Sequence, residues 1–164
     1  FTLPFFTYFL STVDFGILAY HNTISSLLIP LVSLGVQGAV STRFYQNNET
    51  YLEYFHSALF FPLLLSVLLF LFILLFRSFL EVFFGISIIW ILMIPLHGFV
   101  AFVQSLVLID YQVNNRATKY SLFSVLSSTT VFSFSILFVI ILKSYSGKLL
   151  GQYLGIACVA LFLG

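Results

Sequence analysis

Chemistry in a protein needs titratable or nucleophilic side chains held close together, and this chain has few of them. Asp and Glu number five, Lys and Arg six and His three, and Cys158 is the single cysteine. A structural or catalytic metal calls for clustered His, Cys and carboxylate ligands. His21, His56 and His97 are instead scattered singly. An enzyme would need a nucleophile beside a base, or a carboxylate pair. Neither occurs, so no catalytic activity is expected, and no cofactor or metal is called for. Asp14, Glu49, Glu53, Glu81 and Asp110 fall in or beside stretches that read as loops, where solvated or capping roles suffice. Cys158 falls in an apolar run and reads as a buried, inert thiol. His97 reads as the titratable group well inside a long apolar stretch, either a proton-relay candidate or a hydrogen-bonding packing residue.

The elements that must carry these residues follow from composition. The chain is 61% hydrophobic and 7% charged, with a mean hydropathy of +1.14. Soluble domains carry roughly 25% charged residues, so the solvent expected here is lipid. A net charge of +1 offers no basic field for phosphates and excludes nucleic acid as a partner.

Charged residues punctuate the apolar runs. The stretches enclosed by Asp14 and Arg43, Glu53 and Arg77, Glu81 and Asp110, and Lys119 and Lys143 hold 28, 23, 28 and 23 uncharged residues. At about 1.5 Å rise per residue each crosses a hydrocarbon core of roughly 30 Å. An all-α polytopic transmembrane bundle over 1–164 is expected, because only helices satisfy their own backbone in such runs. Complete helices are expected at roughly 16–42, 54–76, 82–109 and 120–142, with partial helices at 1–12 and 149–164. Apolar runs at both ends suggest a piece of a longer chain. Short links at 11–15, 43–54, 77–81, 110–119 and 143–148 make neighbouring helices antiparallel. Arg43, Arg116 and Lys119 fall on one side, and Arg77, Lys143 and Lys148 on the other, so the tied count does not orient the chain.

Within a membrane, polar stripes mark the faces that meet protein or water. Thr23, Ser26, Pro30, Ser33, Gln37 and Ser41 recur at steps of three or four, with Pro30 placed to bend the helix. Trp90, His97, Gln104 and Tyr111 fall seven apart, and Ser121, Ser124, Ser128 and Ser135 mark the last full span. The run between Glu53 and Arg77, after Pro62, has almost no polar face and belongs at the lipid boundary. Two readings of the stripes stand side by side: close helix packing, or a water-filled cavity for a polar cargo. Arg43, at a span end, either snorkels to the interface or contacts a ligand.

The stretch from Leu10 to Tyr45 resembles the first-to-second-helix region of bacterial polysaccharide flippases, in the multidrug/oligosaccharidyl-lipid/polysaccharide exporter superfamily. The matching residues are Leu10, Ser11, Asp14, Phe15 and Gly16, then Leu34, Gly35, Ala39, Ser41, Arg43, Phe44 and Tyr45. Gln104 to Tyr120 looks like the family's link between its fourth and fifth helices, through Arg116, Ala117 and Tyr120, and Leu150, Gly151 and Gly155 fit the start of its sixth. Thr12 and Val13 replace the usual Pro-Glu, and Asp110 stands where a basic or neutral residue is usual.

The resemblance implies part of the N-terminal lobe of a MATE-like, two-lobed transporter in the bacterial inner membrane. It would flip an undecaprenyl-diphosphate-linked oligosaccharide by alternating access during surface polysaccharide biosynthesis. The 43–54 and 110–119 links would be cytoplasmic. Arg43 would bind the diphosphate, with Arg116 and Lys119 as electrostatic aids, and Ser33, Gln37, His97 and Gln104 would line the sugar path. The implied partners are the lipid-linked oligosaccharide, membrane lipids and polysaccharide-assembly proteins, and coupling to H+ or Na+ stays open. The competing functions are a cation-coupled multidrug exporter of the same superfamily, a packing scaffold, and an integral-membrane glycan polymerase or acyltransferase. The exporter wants an intramembrane carboxylate, and the enzyme wants large loops.

Overall fold

A computed structural model describes residue 6 and residues 8–46 and 51–161. Glu49, half of the expected 1–12 helix and the last three residues of the 149–164 helix lie outside the described residues. Among the described residues every regular element is helical: α1 Thr12–Ser33, α2 Val36–Gln46, α3 Tyr51–Ser57, α4 Phe60–Leu75, α5 Arg77–Phe84, α6 Ile88–Val113, α7 Ala117–Leu142 and α8 Tyr145–Leu161. Four stretches are long and apolar enough to cross a membrane: Thr12–Gln46, Glu53–Leu75, Ile88–Val113 and Ala117–Leu142. Among the described residues the fold is all-α, with four helices that have the length and composition of membrane spans. Its contacts divide into two compact units, 25–124 and 1–24 with 125–164.

The expected helix boundaries need correction in four places, each with a local cause. The first span, expected as one helix, stays helical through Pro30. The helix runs through it to Ser33, and the interruption comes at Leu34 (φ 41°) and Gly35 (φ 74°). Glycine takes that left-handed conformation freely, whereas Leu34 pays about 1–2 kcal/mol for it. The second span breaks at Ala58–Leu59 because Pro62, four residues on, cannot bond the Ala58 carbonyl and crowds it. The 77–81 link is helical, not a loop, and forms most of α5. Gly85 (φ 63°) ends that helix with its N–H on the Glu81 carbonyl at 2.9 Å, so the next span starts at Ile88 rather than 82. The 143–148 link contracts to Lys143 and Ser144, and Lys148 lies inside α8.

In unit 25–124, Val40, Tyr51, Ala58, Phe102, Leu106 and Val113 form the core, with Val36, Phe44, Phe55, Leu59 and Ile109 packed against it. Lipid is as apolar as leucine, so van der Waals fit and hydrogen bonds hold such a core rather than release of water. α4 buries one seam, Pro62, Ser66 and Ile73, and leaves Leu64, Leu68, Leu71, Phe72 and Leu75 exposed. The outward face expected for this run is thus present. Ser66, its lone buried hydroxyl, donates to the Pro95 carbonyl of α6 at 2.9 Å.

In the other unit, Ser11 and Asp14 make a capping box at the start of α1. The Ser11 hydroxyl and N–H donate to Asp14 Oδ2 at 2.6 and 3.1 Å, and the Asp14 N–H donates to Ser11 Oγ at 3.2 Å. Asp14 Oδ1 accepts the Tyr145 N–H at 3.3 Å, so one carboxylate serves the N-termini of both α1 and α8. α8 meets α7 through Gly147, Gly151 and Gly155. Lys148 Nζ sits 5.0 Å from the centroid of the Phe6 ring.

Candidate functional site

The candidate residues all belong to unit 25–124. Ser33 is buried and its hydroxyl donates to the Pro30 carbonyl of its own helix at 3.3 Å. Gln37 Nε2 donates to Ser105 Oγ at 3.1 Å, and the Ser105 hydroxyl donates to the Phe102 carbonyl at 2.7 Å. The Gln37 amide therefore clamps α2 to α6. Arg43, His97 and Gln104 are half-buried, and Arg116 and Lys119 are exposed.

Interhelical hydrogen bonds in membranes average about 0.6 kcal/mol and reach about 1.7 kcal/mol. Gln37→Leu should therefore lower the stability of the solubilised protein by no more than about 1–2 kcal/mol, read from thermal unfolding. A larger loss would mean that the amide holds more than this one clamp.

Three elements bring the cationic candidates to one end of the unit. Arg43 lies in the last turn of α2, and its neighbour Phe44 packs edge-on against Tyr51, with ring centroids 5.0 Å apart. The Tyr51 hydroxyl donates to Asp110 Oδ1 at 3.3 Å in the last turn of α6. Burial first, and then the Asp110 carboxylate, push the Tyr51 phenol up to about 12. Arg116 follows α6 by three residues, and Lys119 lies in the first turn of α7.

The turn between α6 and α7 is a Schellman closure. The Arg116 N–H donates to the Tyr111 carbonyl at 2.8 Å and the Asn115 N–H to the Gln112 carbonyl at 3.1 Å. Asn115 takes the left-handed position (φ 55°), which asparagine tolerates better than most residues. The Asn114 amide donates to the Asp110 carbonyl and to Asp110 Oδ1 at 2.9 and 3.0 Å, bracing the helix end.

Folding the chain back so sharply sets the end of α6 beside the start of α7. Between them lies a groove of about 390 Å³ lined by Tyr111, Gln112, Asn115, Ala117, Tyr120 and Ser121. Two phenol rings, two amides and a hydroxyl make a surface suited to a polar, ring-bearing ligand. Arg116 and Lys119 are interleaved with the lining residues. Tyr111 is also the last member of the row Trp90, His97, Gln104 and Tyr111, whose seven-residue steps keep it on one face of α6.

The sequence reading missed two features. It singled out His97 and passed over His21. Because α1 starts at Thr12, His21 lies well inside that helix, 2% exposed, and hydrogen-bonded through Nε2 to the Tyr153 hydroxyl at 2.8 Å. The partner is 132 positions away, so no local pattern announces it. The glycines at 147, 151 and 155 did carry a readable signal, since small residues at four-residue steps mark close helix contact. No family model, curated protein or solved structure matches this chain.

Proposed function

We propose that this chain is part of the N-terminal lobe of a two-lobed, MATE-like transporter that flips an undecaprenyl-diphosphate-linked oligosaccharide across the bacterial inner membrane by alternating access. The observation that carries this reading is the groove at the α6–α7 turn together with the three cations at the same end of the unit. A diphosphate needs cationic donors, and sugar rings favour flat phenol faces and amides. Arg116 and Lys119 attract the diphosphate, Arg43 binds it, and Tyr111, Gln112, Asn115 and Tyr120 receive the first sugars. The row leading away through Gln104 and His97 gives the headgroup a polar track along α6, with Ser33 beside it, and Gln37 holds α2 against α6. The lipid tail remains in the bilayer throughout.

The test uses the full-length transporter with Arg116→Gln and Lys119→Gln together. Both side chains are exposed, so the fold should tolerate the change. Surface polysaccharide should fall several-fold at matched membrane expression, while lipid-linked oligosaccharide accumulates on the cytoplasmic side. Unchanged output would reject the groove as the entry point for substrate.

A further inference from the structure

Arg77 reads in the sequence as the end of the second apolar run, yet the apolar surface does not stop there. Leu68, Phe72, Phe76, Phe79 and Phe83 follow one another at steps of four or three and are all exposed. The rings pair along the row, Phe72 with Phe76 at 4.7 Å and Phe79 with Phe83 at 5.7 Å between centroids. The backbone carries the row across the α4–α5 junction, with Phe76 N–H on the Phe72 carbonyl at 3.1 Å and Leu80 N–H on the Phe76 carbonyl at 3.0 Å.

α5 is also divided cleanly by type. Arg77, Ser78 and Glu81 fall within roughly 100° of the helix circumference, at 100° per residue, and the remaining arc is apolar. On that arc Phe79 is 65%, Val82 86% and Phe83 64% exposed. A helix with a narrow charged sector and large aromatics opposite is suited to the boundary between headgroups and acyl chains. The charged residues reach water and phosphate from there, and an arginine does so by extending its stem along apolar surface.

We propose that the Phe79–Val82–Phe83 face of α5 is a lipid-binding surface, continuous with the outer face of α4 and seated at the headgroup–acyl boundary. The bilayer edge at this helix then falls near Gly85, two turns beyond Arg77. The continuity with α4 favours lipid over a protein partner, because the same row already faces outward within a membrane-crossing stretch. This seating does not depend on what the chain transports.

The experiment places single spin labels on the intact protein in phosphatidylcholine vesicles, after Cys158→Ala removes the native thiol. Labels go at Phe79→Cys, Val82→Cys and Phe83→Cys on one face, at Arg77→Cys, Ser78→Cys and Glu81→Cys on the other, and at Leu68→Cys as an acyl-core reference. Collision with oxygen relative to a water-soluble nickel chelate should be several-fold higher on the aromatic face than on the charged face, and below the Leu68 value. Equal accessibility on both faces would overturn the assignment. So would shielding of the aromatic face from both reagents, the mark of a protein partner. Should one label prevent folding, the other two on its face still report the contrast.

Discussion

Gly151→Leu should abolish the folded protein, and Gly151→Ala alone should lower its stability by at least about 1–3 kcal/mol. A Cβ built at Gly151 would lie 2.5 Å from Ser135 Cα and 2.6 Å from both the Phe134 carbonyl oxygen and the Ser135 nitrogen. These are backbone atoms of α7, so no rotamer change relieves the clash and the two helices must part. Gly147 and Gly155 repeat the situation, with contacts of 2.5 Å to the Phe138 carbonyl oxygen and 2.7 Å to Val131 Cα. Separation would forfeit the close backbone contact that holds helices together where the surrounding medium is equally apolar. It would also strain the His21–Tyr153 and Asp14–Tyr145 hydrogen bonds, because both reach α8. Gly38→Ala is the control. Nothing lies within 4 Å of its added Cβ, and an alanine in a helix gains about 0.5–1 kcal/mol over glycine. Melting followed by size exclusion of the solubilised protein reads all three variants. A Gly151→Leu protein that melts with the wild type would show that α7 and α8 do not touch at this position.

On the proposed flippase reading, Arg43→Ala in the full-length protein should reduce surface polysaccharide by about tenfold or more at matched expression. A guanidinium presents a planar fork that meets phosphate oxygens in pairs. Hydrogen bonds to charged groups contribute about 1.5–3 kcal/mol each, and about 1.4 kcal/mol is a factor of ten in binding. Arg43 is half-buried at the end of α2, beside the Phe44–Tyr51 aromatic pair, where water screens it less than it does Arg116 or Lys119. Arg43→Lys keeps the charge and loses the fork, so it should retain an intermediate output. If Arg43 merely reached to the membrane surface, lysine would restore output fully and alanine would lower stability without a specific transport defect. Equal output from all three proteins would remove Arg43 from the substrate path.

Much of the architecture was legible in the chain itself, and the reason is specific to membranes. A charge in the hydrocarbon core is costly, so the gaps between Asp14, Arg43, Glu53, Arg77, Asp110, Lys119 and Lys143 trace the span ends to within a few residues, and only the start after Glu81 shifts further, to Ile88. A backbone in lipid must satisfy itself, which makes those spans helical. The outward face of α4 was legible for the same reason, being a leucine and phenylalanine run with one serine to spare for its neighbour.

Tertiary structure alone decided which polar residues meet. The spacing that placed Gln37, Ser33 and Thr23 on one stripe is equally compatible with a wet cavity and with packing. Ser105, 68 positions from Gln37, is the partner that packing brings to this amide. Nothing in the sequence near His21 announces Tyr153, which is brought to it by helices that begin at a shared carboxylate. The groove depends on Asn115 accepting a left-handed backbone, a choice that the polar composition of the 110–119 link permits without requiring. Solvent cost acts on each residue separately and can be read along the chain, whereas pairing depends on which helices pack together and is fixed only when they do.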